Sequence, residues 1–581
     1  MSDRLLRKRI LFLGIYAFFL LIAVRLFYWQ VLRGSELRLQ SEVQTMRSSS
    51  SQGLRGKIYT SDNYLLVGNQ LAYELKLDRQ NFQGDSDRLS RQLAQLIIQD
   101  DKAYQETDSA ARRQELTDVL AAQIANKFQA RGNWPILASG LSEARRDEVA
   151  ALNNPYLHFD QHFQRFYPEA SMAAHLTGFV GRDDQGNPIG RYGVEGALED
   201  ELKPRTHQQL LRIDALGFLL AGQKYDSKNL DGRDITLTIR RDIQYLLETE
   251  LQQAVERYSA DRGEIIVLES QTGRILGLAT WPSYEAWNYT YYPAELLKNP
   301  SLTRAYEPGS TFKTLTVAAG IDAGAITPDT VCTKCAGPRR IASFSIKTWN
   351  DQYTPNITMR EAYAKSDNTA MIFITDLLGK DRFVDYLHQF GIGERLQLDL
   401  QDDARTTFPQ KIGPVELATI SFGQGISTNS LTLLRAINTV ATGGIRLEPQ
   451  IIDKVFDHQS QQELASPPTT SSVVLSPASA ATVTELMVEA AKSGEAKWTA
   501  TEAYQVAAKT GTSQVPDPGG GYKKDETIAS FVGFAPAHKP VFTMLVKLEN
   551  TKSSPWAAET AAPLWYRVAD KLMLLLNVAA K

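Results

Sequence analysis

Cysteine is nearly absent from this chain: two residues in 581, Cys332 and Cys335, with only 7 histidines beside them. A structural zinc needs four ligands, and neither a second cysteine pair nor a neighbouring histidine accompanies this C-x-x-C. His158 and His162 stand four apart, which on a helix would put them on one face, but no Glu or third ligand goes with them. No metal and no cofactor is therefore expected. The cysteine pair is read first as a local disulfide, with free thiols and a metal pair as alternatives; closing so short a loop would stabilise the fold by only about 2 kcal/mol. An excess of either charge is also missing. With 63 basic and 66 acidic residues the formal net charge is −3, which leaves no electrostatic footprint for a polyanion and makes nucleic acid a poor partner. No internal repeat or low-complexity tract interrupts residues 234–581.

What is present begins with one long apolar run. Arg4, Arg7, Lys8 and Arg9 precede Ile10 to Val24, which carries no charge, and apolar character resumes after Arg25 through Leu32. At about 1.5 Å per residue, 23 residues just cross a hydrocarbon core of about 30 Å. Arg25, Tyr28 and Trp29 suit the far interface. A cleaved signal peptide shares the basic and apolar parts, but no small-x-small cleavage site follows the run. The expectation is a single-pass anchor in the cell (inner) membrane, with a cytoplasmic N-terminus and everything after residue 32 extracytoplasmic or periplasmic.

Beyond the anchor, residues 33–233 form a mixed region without catalytic pattern, expected as a pedestal domain. Asp101 to Ala130 reads as one amphipathic helix. A second domain, residues 234–581, starts after Asp231-Gly-Arg-Asp234. There Ile235 to Ile239 reads as a strand and Arg241 to Val255 as a helix. Gly263 to Leu268 and Arg274 to Ala279 read as a β-hairpin turning at Gln271-Thr-Gly273. A second strand pair is expected at Tyr504 to Val515 and Thr527 to Glu549, around the loop Pro516 to Tyr522, followed by a closing helix over Glu559 to Leu576. Strands at both ends with helices between predict an α/β (α+β) domain, one antiparallel sheet flanked by helices.

Three short motifs fall in order inside that domain. Ser310-Thr-Phe-Lys313 follows Tyr306-Glu-Pro-Gly309, where Pro308 and Gly309 allow a helix to begin at the serine. Residues three apart share a helix face, which places the Lys313 amine beside Ser310 Oγ, and burial near other cations can lower a lysine pKa until it accepts a proton. Ser366-Asp-Asn368 lies 56 residues on, and Lys509-Thr-Gly-Thr512 opens the late strand pair. Each is weak alone. In the order S-x-x-K, S-x-N, K-T-G they are the active-site set of penicillin-binding proteins and serine β-lactamases. In that set Ser310 is the nucleophile, Lys313 its base, Ser366 the proton carrier to the leaving amine and Asn368 the holder of a substrate amide. Lys509 supplies charge for a terminal carboxylate. Gly511, lacking Cβ, is expected to let substrate backbone lie along the strand. The N–H groups of Ser310 and Thr512 are expected to form the oxyanion hole. The Thr510 hydroxyl is expected at solvent or packed on the strand, with Thr512 facing the substrate.

On these motifs, with Arg55-Gly-Lys-Ile58, Arg165-Phe-Tyr-Pro168, Tyr192-Gly-Val-Glu195, Ser421-Phe-Gly-Gln-Gly425 and Ala529-Ser-Phe-Val-Gly533, the chain resembles the class B penicillin-binding proteins of the septal FtsI and sporulation SpoVD type. The resemblance implies a DD-transpeptidase fold behind a dimerisation-type pedestal and peptidoglycan stem peptides ending in D-Ala-D-Ala as donor. It further implies acylation by β-lactams and a membrane partner of the SEDS glycosyltransferase type, such as FtsW, among other division proteins. Two stretches depart from the pattern: Lys203-Pro-Arg205 replaces a Gly-x-x-Gly segment, and Asp367 makes the second motif read like that of a β-lactamase or small carboxypeptidase. A secreted β-lactamase would need a water-activating Glu and no pedestal. A β-lactam sensor or a non-catalytic divisome scaffold would use the same fold without turnover.

Overall fold

The computed structural model describes residues 2–38, 46–129, 132–212, 229–400, 408–409, 411–465, 469–499, 503–517 and 519–579. The chain divides into two compact bodies. The first is Met1–Arg55, Pro204–Gly232 and His458–Ser460; the second is Gly56–Lys203, Arg233–Asp457 and Gln461–Lys581. The first body carries the helix Ser2–Phe27, continued by one π-helical turn at Tyr28–Leu32, and an antiparallel ribbon of Met46–Gln52 with Thr206–Arg212. Leu5–Leu32 is long and apolar enough to cross a membrane, and none of its most apolar stretch is buried. Apolar side chains left bare along such a length need a lipid environment or a partner surface.

In the second body, a five-stranded antiparallel sheet holds the expected hairpin and its late partners. Its strands are β1 (Arg262–Glu269), β2 (Ile275–Trp281), β3 (Ala507–Pro516), β4 (Tyr522–Ala535) and β5 (Phe542–Glu549), in the order β2-β1-β5-β4-β3. The late segment from Thr527 to Glu549 is thus two strands where the sequence suggested one. The chain reverses between Ala535 and Phe542, across the register pair that joins them.

Side chains alternate across a strand, and here the two faces feed two different cores. Ile266 and Leu268 enter one, and Ile265 and Val267 the other. Because both faces are covered, Ile265 to Leu268 of β1 are consecutive apolar residues, and all of the strand but its end residues Arg262 and Glu269 is buried. Helices α1 (Arg241–Tyr258) and α6 (Ala561–Leu575) cover one face through Leu247, Leu251, Trp565 and Leu572. Helices α2 (Lys313–Asp322), α3 (Asn368–Leu378), α4 (Ser430–Ala441) and α5 (Pro477–Ser493) contribute Leu315, Ile372, Leu434 and Met487 to the other. The α/β class and the sheet flanked by helices match the expectation.

A seven-stranded sheet takes strands from both sides of residue 233. Asp234–Leu237 lies between Ile58–Tyr59 and Ile452–Asp457, and the sheet continues through Leu65–Leu77 to Ile136–Leu141 and Leu157–Phe166. Helices Ser86–Ile97 and Ala110–Lys127 pack on it around Leu75, Leu93 and Ile124. The single helix expected over Asp101 to Ala130 is instead two, Lys102–Glu106 and Ala110–Lys127, with Ala130 outside the described residues. Thr107 is extended and the Ser109 side chain caps the second helix by accepting from Arg112 N; a serine that bonds the backbone locally competes with helix continuation. His158 and His162 lie on the strand Leu157–Phe166 and not on a helix.

Two family-like stretches meet in one buried ion pair. Arg165 Nε donates to Glu195 Oε1 at 2.8 Å, and Arg165 also reaches Asn69 Oδ1 at 3.1 Å. Cys332 and Cys335 form a disulfide with Cα atoms 5.6 Å apart.

Candidate active site

Ser310 sits in a single 3-10 turn, Gly309–Phe312, that runs directly into α2, so Lys313 is the first α-helical residue. Three glycines let this turn dock. Gly309 is left-handed at φ +56, a conformation that costs a residue with Cβ, and its N–H donates to Gly423 O at 3.0 Å. A Cβ on Gly423 would stand 2.3 Å from Gly309 O. Glu307, buried just before the turn, accepts from Gly425 N at 2.9 Å and from Tyr522 Oη at 3.0 Å. The Ser421-Phe-Gly-Gln-Gly425 stretch is therefore the bracket that holds the serine turn.

On its other side the turn lies against β3. A Cβ on Gly511 would fall 2.7 Å from Thr311 Cγ2, 2.8 Å from Ser530 Oγ and 3.2 Å from Pro308 O. The glycine is needed for the serine turn to approach the strand. This reason stands beside the expected one, room for substrate backbone.

Lys313 and Lys509 reach toward each other from α2 and β3 and meet at one hydroxyl. Lys313 Nζ donates to Ser366 O at 2.5 Å and to Ser366 Oγ at 3.2 Å, and Lys509 Nζ donates to the same Oγ at 3.2 Å. All three side chains are buried. Ser366 takes a left-handed φ of 57, a strain of about 1–3 kcal/mol that persists only where surroundings enforce it. Lys509 also stands over the Tyr363 ring at 6.0 Å. Among the described residues no hydrogen bond joins Ser310 to Lys313: the lysine, expected beside Oγ by its spacing, is turned toward Ser366.

Burial, and secondarily the Lys509 charge, lowers the Lys313 pKa to about 7, against the opposing pull of Glu495 and Asp367. Burial lowers Lys509 as well, again opposed by Glu495. At neutral pH a substantial fraction of Lys313 is thus an uncharged amine able to accept a proton.

Asp367 is accounted for by helix capping. Its carboxylate accepts from Thr369 N at 2.7 Å, Ala370 N at 3.2 Å and Thr369 Oγ1 at 2.6 Å at the start of α3. Asn368, half-buried beside it, donates from Nδ2 to Lys347 O at 2.9 Å, which ties down the loop bearing Trp349. Trp349 meets Trp556 edge-on at 5.5 Å, and Ala557 N donates to Thr512 Oγ1 at 3.2 Å.

Thr510 and Thr512, two apart on a strand, share a face. Thr510 is buried, not at solvent; it accepts from Lys509 Nζ at 3.3 Å and donates to Glu495 Oε2 at 3.1 Å. Glu495 is the residue sequence reasoning missed. It lies 14 positions before Lys509 in a stretch without motif, and only the packing of α5 on β3 brings it to the site.

The chain is similar to known proteins over most of its length. Residues 263–573 match the penicillin binding protein transpeptidase domain, and residues 50–237 the penicillin-binding protein dimerisation domain. Stage V sporulation protein D of Bacillus subtilis is 27% identical over 97% of this chain and 85% of its own length. Peptidoglycan D,D-transpeptidase FtsI of Escherichia coli is 28% identical over 79% of this chain and 75% of its own. The crystal structure of penicillin binding protein 3 of Mycobacterium tuberculosis, complexed with aztreonam, superposes with a TM-score of 0.68. It covers 92% of this chain and 98% of that one at 21% identity, so it speaks to the fold alone. Since the transpeptidase match spans more than half of the sequence and a dimerisation domain precedes it, the chain belongs to the class B penicillin-binding proteins.

Proposed function

We propose that this protein cross-links peptidoglycan stem peptides as a serine D-Ala-D-Ala transpeptidase, through an acyl-enzyme on Ser310. The observation that carries the reading is the meeting of Lys313 and Lys509 on Ser366 Oγ, beside the turn that presents Ser310. Catalytic hydrogen bonds commonly tighten only when substrate is bound. Neutral Lys313 therefore turns from the Ser366 carbonyl to take the Ser310 proton as Oγ attacks the penultimate D-Ala carbonyl. The Ser310 and Thr512 N–H groups receive the oxyanion. As the peptide C–N bond breaks, Ser366 gives its proton to the departing D-Ala amine and recovers one from the lysines that flank it. An acceptor amine then attacks the Ser310 ester, loses a proton along the same path and frees the hydroxyl.

Asn368 Oδ1, its Nδ2 being engaged with Lys347 O, is left to hold a substrate N–H. Lys509, Thr510 and Thr512, on one strand with Gly511 holding it close, form the dock for the terminal carboxylate. β-Lactams, which present the same carboxylate and a strained amide, acylate Ser310.

The organisation into an anchor (1–32), pedestal (33–233) and transpeptidase domain (234–581) belongs to the same proposal, as does a single-pass topology with the catalytic domain outside the cytoplasm. So does septal work beside a SEDS glycosyltransferase such as FtsW, which rests on the family resemblance of the motifs. Depletion tests the role: filamentous cells agree with septal synthesis, and rounded cells assign the protein to elongation instead. The reaction is tested by cross-linking of nascent glycan strands by the full chain in detergent. Cross-links that persist with Ser310→Ala refute it.

A further inference from the structure

A hydroxyl has one proton to give, and Thr510 gives its own to Glu495, at 3.1 Å, while accepting from Lys509 Nζ at 3.3 Å. A chain of hydrogen bonds thus runs Glu495, Thr510, Lys509, Ser366, Lys313. Thr510, Lys509, Ser366 and Lys313 are buried and Glu495 is exposed, so a carboxylate enters the lysine chain from outside. The packing of α5 brings it there, but the helix does not attract its charge. Glu495 follows the C-terminal end of α5, where the helix dipole repels an anion; the attraction comes from Thr510 and the two lysines.

We infer that Glu495 is a specificity-determining residue, an internal carboxylate that occupies the position of the substrate carboxylate at Thr510 and must give way when an anionic substrate docks. The inference rests on the reading of Thr510 and Lys509 as the carboxylate dock. A substrate carboxylate that claims the Thr510 proton comes within about 5 Å of the Glu495 oxygens. At that separation unit charges in water-like to half-water-like dielectric repel enough to slow docking by roughly four- to seventeenfold. Because Glu495 is exposed and follows Gly494 at a helix end, it can swing out toward solvent. It therefore tunes affinity for anions without blocking the site.

The test uses full-length protein in detergent and two probes, benzylpenicillin and its uncharged methyl ester, with second-order rate constants for Ser310 acylation measured for wild type and Glu495→Gln. Glutamine keeps an acceptor for Thr510 and removes only the charge. The expected result is a rise of about four- to seventeenfold for the anion, with the ester changed by less than about twofold. An unchanged or reduced rate for the anion, or an equal change for both probes, overturns the inference, since a merely structural role would move the two together. If wild type takes up neither probe on Ser310, the transpeptidase reading itself fails, and the two failures are thereby told apart.

Discussion

Gly511→Ala tests how closely the serine turn must approach β3. The added Cβ would sit 2.7 Å from Thr311 Cγ2 and 2.8 Å from Ser530 Oγ, whereas carbon contacts are comfortable near 3.5–4.0 Å. The strand and the turn must separate by about 0.7–1 Å to accept it. Overpacking of this kind costs about 1–3 kcal/mol of stability, and a shift of about 1 Å in a catalytic constellation costs on the order of a hundredfold in rate. Because Thr510 and Thr512 flank the glycine and the turn carries Ser310, the shift falls on the proposed dock and the proposed nucleophile together. Stopped-flow acylation by a fluorescent penicillin, paired with urea unfolding, reads both quantities. Trimming the opposing methyl with Thr311→Ser keeps an Oγ for the Pro308 carbonyl, which Thr311 Oγ1 reaches at 2.8 Å, and the double variant should regain part of the lost rate through direct coupling. A Gly511→Ala protein that acylates within about threefold of wild type, or a double variant with no recovery, refutes the packing argument.

The remaining expectations concern charge. With Lys313 at about pH 7 and only its neutral amine acting as base, acylation should rise about tenfold per pH unit below 7 and level off above it; Lys313→Arg, charged throughout, should lose acylation at every pH. His175, held neutral by burial with its pKa lowered to about 4, titrates near 6.5 when unfolded. The unfolded chain then binds the extra proton, so stability should fall as pH drops from 6.5 toward 4, by about 3 kcal/mol in all. Urea titrations should show a shallower loss in His175→Asn. Glu195→Ala leaves Arg165 buried without its carboxylate and should cost about 3–5 kcal/mol, seen as a lower melting temperature; an unchanged one would contradict the burial of the pair.

Much of this architecture was legible in the residues because local signals and long-range packing agree. The 263–279 hairpin, the α1 periodicity and the closing helix each carry their own pattern, and the apolar runs of β1 and β5 announce a sheet covered on both faces. The three motifs were legible because each keeps its chemistry in three or four adjacent residues. What stayed hidden depends on contacts that spacing does not encode. Helical spacing predicts a Lys313–Ser310 contact, but the lysine answers to Ser366, 53 residues away. That Gly511 also lets the serine turn approach is visible only once Thr311 and Ser530 are seen to press on it. The break before Ser109 was present as a cap signal and was outweighed by the longer periodicity. Glu495 carries no signal at all, since a lone acidic residue at a helix end is ordinary until the fold lays it against Thr510.

The central claim is that one hydroxyl, Ser310 Oγ, takes the acyl group. Peptide mass spectrometry of the detergent-solubilised full chain after brief exposure to benzylpenicillin measures this directly. The account predicts a single penicilloyl adduct on the peptide containing Ser310, abolished by Ser310→Ala and slowed by orders of magnitude in Lys313→Ala. An adduct on any other residue, or one that survives Ser310→Ala, would contradict it.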